Sequence, residues 1–233
     1  MIQRRRLPSL GGVLGIVSVF AIGGCDGGLD RTDLEPQHVA TYACALARDI
    51  DQPATDWNPT PGESEFDDEF NSAMSAVDLL GSASGTPLAG YADLMHPDLT
   101  RALTELDTET VDSELSSLQA ACEDEGLPTE KADTSPTGRI SFACNLIADV
   151  NDADGSPREW FDAIGTDTPS EKGLILTKLF GATSLTGGAL GAEPPGHKDL
   201  ADAAHAILGA IADADDEATE EGIRDFHTAC QEQ

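Results

Sequence analysis

Two histidines each stand two residues before an aspartate, in His96-Pro97-Asp98 and His197-Lys198-Asp199. An imidazole beside a carboxylate is a pairing used in general acid–base catalysis, and both groups bind divalent metals. One pair in each half of the chain would give one site per half, or a single site between them. The same residues also suit a helix start. Proline is favoured at the first helical position, and an early Asp meets the positive end of the helix dipole. Helix initiation needs no ligand and is the expectation for both pairs, which leaves His96, Asp98, His197 and Asp199 as weak metal candidates.

Other local patterns carry less. Asp149-Val150-Asn151-Asp152-Ala153-Asp154-Gly155 resembles a calcium loop of the EF-hand or dockerin kind. With Gly155 at the sixth position, however, Val150 and Phe161 fall where carboxylates are required, so a helix end running into an acidic turn is expected. Gly81-Ser82-Ala83-Ser84-Gly85 has Ala83 where a nucleophile elbow needs serine. Gly187-Gly188-Ala189-Leu190-Gly191 lacks the Lys-Ser/Thr of a phosphate loop. Trp57 and Trp160 could grip a sugar or a peptide, but in a small helical bundle a lone tryptophan is expected to fill core. No Ser/His/Asp or Cys/His set recurs in the two halves, and no cofactor is expected.

The five cysteines divide into one and four. Cys25 closes Ile22-Gly23-Gly24-Cys25, which follows a basic Arg4-Arg5-Arg6 and an apolar run from Leu10 to Ile22, too short to span a bilayer. This leader resembles that of bacterial lipoproteins, in which the cysteine becomes the new N-terminus and carries lipid. The resemblance implies a signal peptide over residues 1–24, acyl chains such as palmitate on Cys25, and attachment to the cell membrane by those chains. Export would be by the general route or, given the arginine run, the twin-arginine route.

Export places the other four cysteines where disulfides form. A repeat chooses among their three pairings. Tyr42-Ala43-Cys44-Ala45-Leu46-Ala47-Arg48-Asp49-Ile50 returns as Phe142-Ala143-Cys144-Asn145-Leu146-Ile147-Ala148-Asp149-Val150. Leu79-Leu80-Gly81-Ser82 returns as Leu179-Phe180-Gly181-Ala182, and Ala121-Cys122 returns as Ala229-Cys230. Ordered anchors with drift confined to the gaps are what two diverged copies of one unit leave. The pairing expected is therefore Cys44–Cys122 and Cys144–Cys230, each tying the first helix of a copy to its last. There is no CxxC, so a redox or zinc role for these cysteines is not expected.

The elements read as helices throughout. Val39, Tyr42, Ala43, Leu46 and Ile50 make one stripe, and Phe66, Phe70, Ala73, Met74, Val77 and Leu80 a second that stops at Gly81. Pro97 opens a third helix with Leu99, Ala102, Leu103 and Leu106, and Thr110 a fourth with Val111, Leu115, Leu118 and Cys122. The second half repeats the plan. Ser156-Pro157-Arg158-Glu159 and Thr168-Pro169-Ser170-Glu171 are capping boxes, and Gly181 is again a stop. The expected fold is all-α, a tandem duplication of a small disulfide-stapled helical bundle. Its parts are a tether over 25–36, helical repeats over 37–126 and 139–233, and a polar linker over 127–138. Each repeat of about 90 residues would own a thin core, since aromatics are 5% of the chain.

The formal charge is −30, and loss of residues 1–24, with three arginines and no acid, makes it −33. Such a chain repels nucleic acid. The expected function is that of a lipid-anchored envelope protein acting as a binding or structural module, with an envelope protein or a cationic ligand as partner. The alternative is an enzyme or metal-binding protein whose site lies between the repeats and uses His96 and His197.

Overall fold

The computed structural model describes residues 34–57, 68–83, 86, 88, 99, 101–163, 171–187 and 197–233. All fall within one compact unit, Arg31–Gln233. Among the described residues there are helices and no strands. In chain order these are α1 (Pro36–Arg48), a 3₁₀ turn (Ala54–Asp56), α2 (Asp68–Ser82), α3 (Thr108–Glu125), a second 3₁₀ turn (Thr129–Lys131), α4 (Pro136–Asn151), a short α5 (Pro157–Asp162), α6 (Glu171–Leu185), α7 (Lys198–Ala212) and α8 (Asp216–Gln231). None of the described helices is long and apolar enough to cross a membrane.

Local chemistry sets the helix starts. Pro36, Pro136 and Pro157 open α1, α4 and α5, where the missing N–H has no partner to lose. Ser135 and Ser156 accept hydrogen bonds from the N–H groups of Gly138 and Glu159. Asp107 caps α3 by accepting from Thr110 N–H, so that helix begins at Thr108, two residues before the expected Thr110. Asp215 caps α8 in the same way through Ala218.

Ahead of each of these aspartates sits a non-glycine residue in the left-handed region, Leu106 (φ 55°) and Ala214 (φ 53°). The N–H groups of Leu106 and Asp107 close back on the carbonyls of Leu103 and Ala102, and those of Ala214 and Asp215 on Ile211 and Ala210. This is the Schellman arrangement, made twice.

Each half closes on a disulfide. Cys44 of α1 is bonded to Cys122 of α3, and Cys144 of α4 to Cys230 of α8, with Cα atoms 5.6 and 5.5 Å apart. These are the pairings that the repeat selects. All four cysteines are buried.

The hydrophobic core is not divided between the halves. One cluster contains Leu46 and Leu79 together with Leu146 and Leu179, all fully buried, so the expectation of two separate thin cores gives way to a shared one. A smaller cluster in the first half gathers Ile50, Phe70, Val77, Leu103, Val111 and Leu115. The join is made by α2 packing along α6. Gly81 stands one residue before the end of α2, as the expected stop requires, whereas Gly181, also expected as a stop, lies inside α6; both allow the two helices to approach. A Cβ on Gly181 would come within 2.7 Å of Leu79 Cδ2, and one on Gly81 within 2.6 Å of Thr177 Cγ2. Tyr42 of α1 and Phe142 of α4 stack with centroids 3.8 Å apart and rings 5° from parallel.

The segment 127–135, expected as a plain polar linker, is a strap laid over the end of α1. Arg48 Nη1 donates to Thr129 Oγ1 at 3.0 Å, Thr134 Oγ1 donates to Asp49, and Tyr42 donates its hydroxyl proton to the Asp133 carbonyl at 2.8 Å. Gly138 makes room for it, since a Cβ there would lie 2.1 Å from that same carbonyl oxygen. Gly209 of α7, by contrast, faces open space. Gly138→Ala should therefore destabilise the protein by about 2 kcal/mol or more through overpacking. Gly209→Ala should stabilise it by up to about 1 kcal/mol through helix propensity alone. Urea unfolding followed by circular dichroism checks both signs.

Candidate functional site

A cavity of about 550 Å³ opens where the start of α1, the end of α4 and the first turns of α6 meet. Its volume lies in the range of ligand pockets. The geometry follows from the fold. The α2–α6 pairing brings Ser82 to the cavity wall, while Leu34 and Pro36 reach it from the start of α1. Leu34, Leu174 and Ile175 supply apolar wall, and the polar part is Glu35, Asp149, Asp152, Asp154, Glu171, Lys172 and Lys178.

Both lysines are engaged. Lys178 Nζ is 2.6 Å from Asp149 Oδ2 in a partly buried pair, and Lys172 holds Glu159 in an exposed one. The hydrogen bond and charge of Lys172 keep the Glu159 carboxyl below its ordinary range. The acidic turn expected after the first helix of the second half is present. α4 ends at Asn151, Asp152 is its C-cap, and Gly155 takes φ 104°. Trp160 Nε1 donates to the Asp154 carbonyl and fixes the turn from below.

A second feature is the polar seam between α2 and α6. Asn71, Ser75, Asp78 and Ser82 follow one another at helical spacing along α2. Asn71, Ser75 and Ser82 are buried, and so are Thr183 and Ser184 on α6. Ser82 and Thr177 share a hydrogen bond of 2.6 Å, and Ser184 Oγ donates to Asp78. Both polar atoms of the Asn71 amide are buried without a hydrogen-bond partner. Asp78 keeps part of its surface accessible, but the packed atoms around its carboxyl disfavour the charge and push it up to about 6, against the lowering effect of Ser184.

A third, smaller notch of about 170 Å³ lies in the first half between Trp57, Phe70, Leu103, Leu106 and Val111. Trp57 meets Phe70 edge-on and donates to the Gln52 carbonyl. In the second half Trp160 is buried, as core filling requires.

Of the candidates read from the sequence, Cys25, His96 and Asp98 lie outside the described residues. His197 is the N-cap of α7 and Asp199 is in its first turn, which fits helix initiation. The buried Nδ1 of His197 has no hydrogen-bond partner. No group of three or more His, Cys, Asp or Glu side chains that could hold a metal occurs among the described residues. His197 does not line the large cavity.

Neither the seam nor the cavity coincides with a sequence motif. The spacing of Asn71, Ser75, Asp78 and Ser82 was available as a signal, for it puts four polar groups on one helix face. The cavity has no such signal, being made by four distant segments.

Asp78 gives a pH dependence with a definite sign. Its carboxyl is raised above the unfolded value, so its contribution is fully favourable below about pH 4 and is lost as pH rises through about 6. Asp78→Asn should stabilise the protein above pH 7 by on the order of 2–3 kcal/mol and flatten the profile between pH 4 and 7. Thermal denaturation across that range is the check.

Compared with known proteins, the chain matches no family model, no curated sequence and no solved structure.

Proposed function

We propose that this chain is an exported, lipid-anchored envelope protein whose body acts as a binding module. The observation that carries this is the pair of buried disulfides, Cys44–Cys122 and Cys144–Cys230. Each joins the first helix of a half to its last, and bonds of this kind persist in oxidising compartments outside the cytoplasm. The leader Ile22-Gly23-Gly24-Cys25 fits the same picture, because it offers the one remaining cysteine for lipid. The cavity of about 550 Å³ favours a binding role over a purely structural one.

The body is, in this proposal, a tandem duplication. Several observations support it beyond the repeated sequence. The bridges are equivalent, the Schellman turns at Leu106 and Ala214 are equivalent, and both are followed by a capping aspartate. Tyr42 stacks on the residue one hundred places later, and Gly81 and Gly181 each lie where the other helix of one pair packs, against Thr177 and Leu79. Contact between equivalent positions is the mark of an isologous interface, so the two copies are arranged as the subunits of a two-fold dimer would be.

Labelled palmitate fed to cells should be incorporated into the wild-type chain, which should partition with membranes. Cys25→Ser should lose both properties. In the purified protein no thiol should titrate from Cys44, Cys122, Cys144 or Cys230 before reduction. Breaking either bridge should cost up to about 4.5 kcal/mol, as loops of 78 and 86 residues imply. Free thiols in protein recovered from intact cells would refute the compartment.

A further inference from the structure

The duplicated body, on which this inference rests, keeps each of its disulfides inside one half. Cys44–Cys122 lies before the linker and Cys144–Cys230 after it, so among the described residues only the linker joins the halves covalently. Packing does the rest. α2 lies along α6, with Leu79 over Gly181 and the methyl of Thr177 over Gly81. Leu46, Leu79, Leu146 and Leu179 are buried in one cluster, and Tyr42 stacks on Phe142. A shared apolar core of this kind is what holds obligate subunits together.

Where the joint is polar, its two sides differ. Thr177 gives its proton to the Leu174 carbonyl at 2.9 Å, so the buried Ser82 donates to Thr177. Each of these partners is peculiar to its own half. Ala182 stands at the place of Ser82, and Val77 at that of Thr177. Two first halves paired in this way would set Ser82 against Val77 and leave its hydroxyl buried without a partner. Two second halves would set Ala182 against Thr177 and lack the hydrogen bond. They would also put Lys178 in the place of Asp78, opposite Ser184.

We propose that the joint is a protein–protein interface in its own right. The first half is the binding partner of the second and closes on it without the linker, and Ser82 with Thr177 selects the mixed pair over either self-pair. A cost placed on the wrong pairing is one way that interfaces gain specificity. On a membrane carrying many tethered copies, this selection keeps like halves of neighbouring chains from pairing.

The test uses the mature chain, 25–233, with a protease site inserted between Glu130 and Lys131, both exposed. It carries Cys25→Ser so that no free thiol links two chains. Cleaved and left unreduced, the two halves should sediment as one complex at about 1 μM, roughly a thousandfold below the effective concentration that a short linker supplies. After dissociation in urea and dilution, native mass spectrometry should find mixed pairs and no self-pairs. Thr177→Val keeps a methyl over Gly81 but strands Ser82, and should raise the dissociation constant of the cleaved complex about tenfold or more. Adding Ser82→Ala should bring it back to within about threefold of the parent, since an apolar pair then replaces a polar one. Circular dichroism verifies that each variant is folded.

Halves that part at about 1 μM would overturn the proposal. So would self-pairs after dilution from urea, or no loss with Thr177→Val. Equal loss in the single and double variants would overturn it too, by reducing Thr177 to a packing residue. None of these results bears on palmitate labelling or thiol titration, so the envelope module and its joint fail separately.

Discussion

Two helices come close only where neither puts bulk at the crossing, and α2 and α6 meet that condition through Gly81 and Gly181. Leu79 reaches over Gly181, and the methyl of Thr177 reaches over Gly81. Close backbones bring small polar side chains within hydrogen-bonding range, which is why Ser82 finds Thr177 and Ser184 finds Asp78. With that pair fixed, leucines from both halves are buried in one cluster, and each half shares the core of the other. A chain with few aromatics benefits from this, because buried fraction rises with the size of the packed unit.

Much of the helical plan could be read from the sequence, and the reasons are local. Ser156 before Pro157, with Glu159 three places on, describes a helix start in terms that refer to nothing distant. The pairing of Cys44 with Cys122 was legible because the repeat tied each cysteine to a place in a half. What was not legible depends on distant partners. Gly181 carries the same letter whether it ends a helix or admits Leu79, and only the neighbouring helix decides between them. The strap looked featureless because it has no apolar period. It is held by a backbone carbonyl, two hydroxyls and a glycine, none of which leaves a pattern in hydrophobicity. The cavity is bounded by Leu34, Asp149 and Lys178, residues that only the assembled fold makes neighbours.

Stability and cost sit side by side in this molecule. The bridges restrict the unfolded chain, the capping aspartates satisfy helix ends, and the stacked Tyr42 and Phe142 join α1 to α4. Burial pushes the Tyr42 phenol above its ordinary range, so it stays a hydrogen-bond donor to Asp133 throughout the physiological range. Against these stand the enclosed carboxyl of Asp78, the orphaned amide of Asn71, and the left-handed Leu106 and Ala214. The unfavourable polar groups of α2 lie along the face it turns to α6.

The placement of the two tryptophans has an optical consequence. Trp160 is 3% exposed and fixed by the Asp154 carbonyl, whereas Trp57 is partly open beside its notch. Indole emission shifts to longer wavelength with contact to water, so each half carries its own intrinsic colour. Loosening of the second half would redden the spectrum, and a quencher in solution would reach the first half before the second. The molecule thus reports on its two parts separately, without any label being attached.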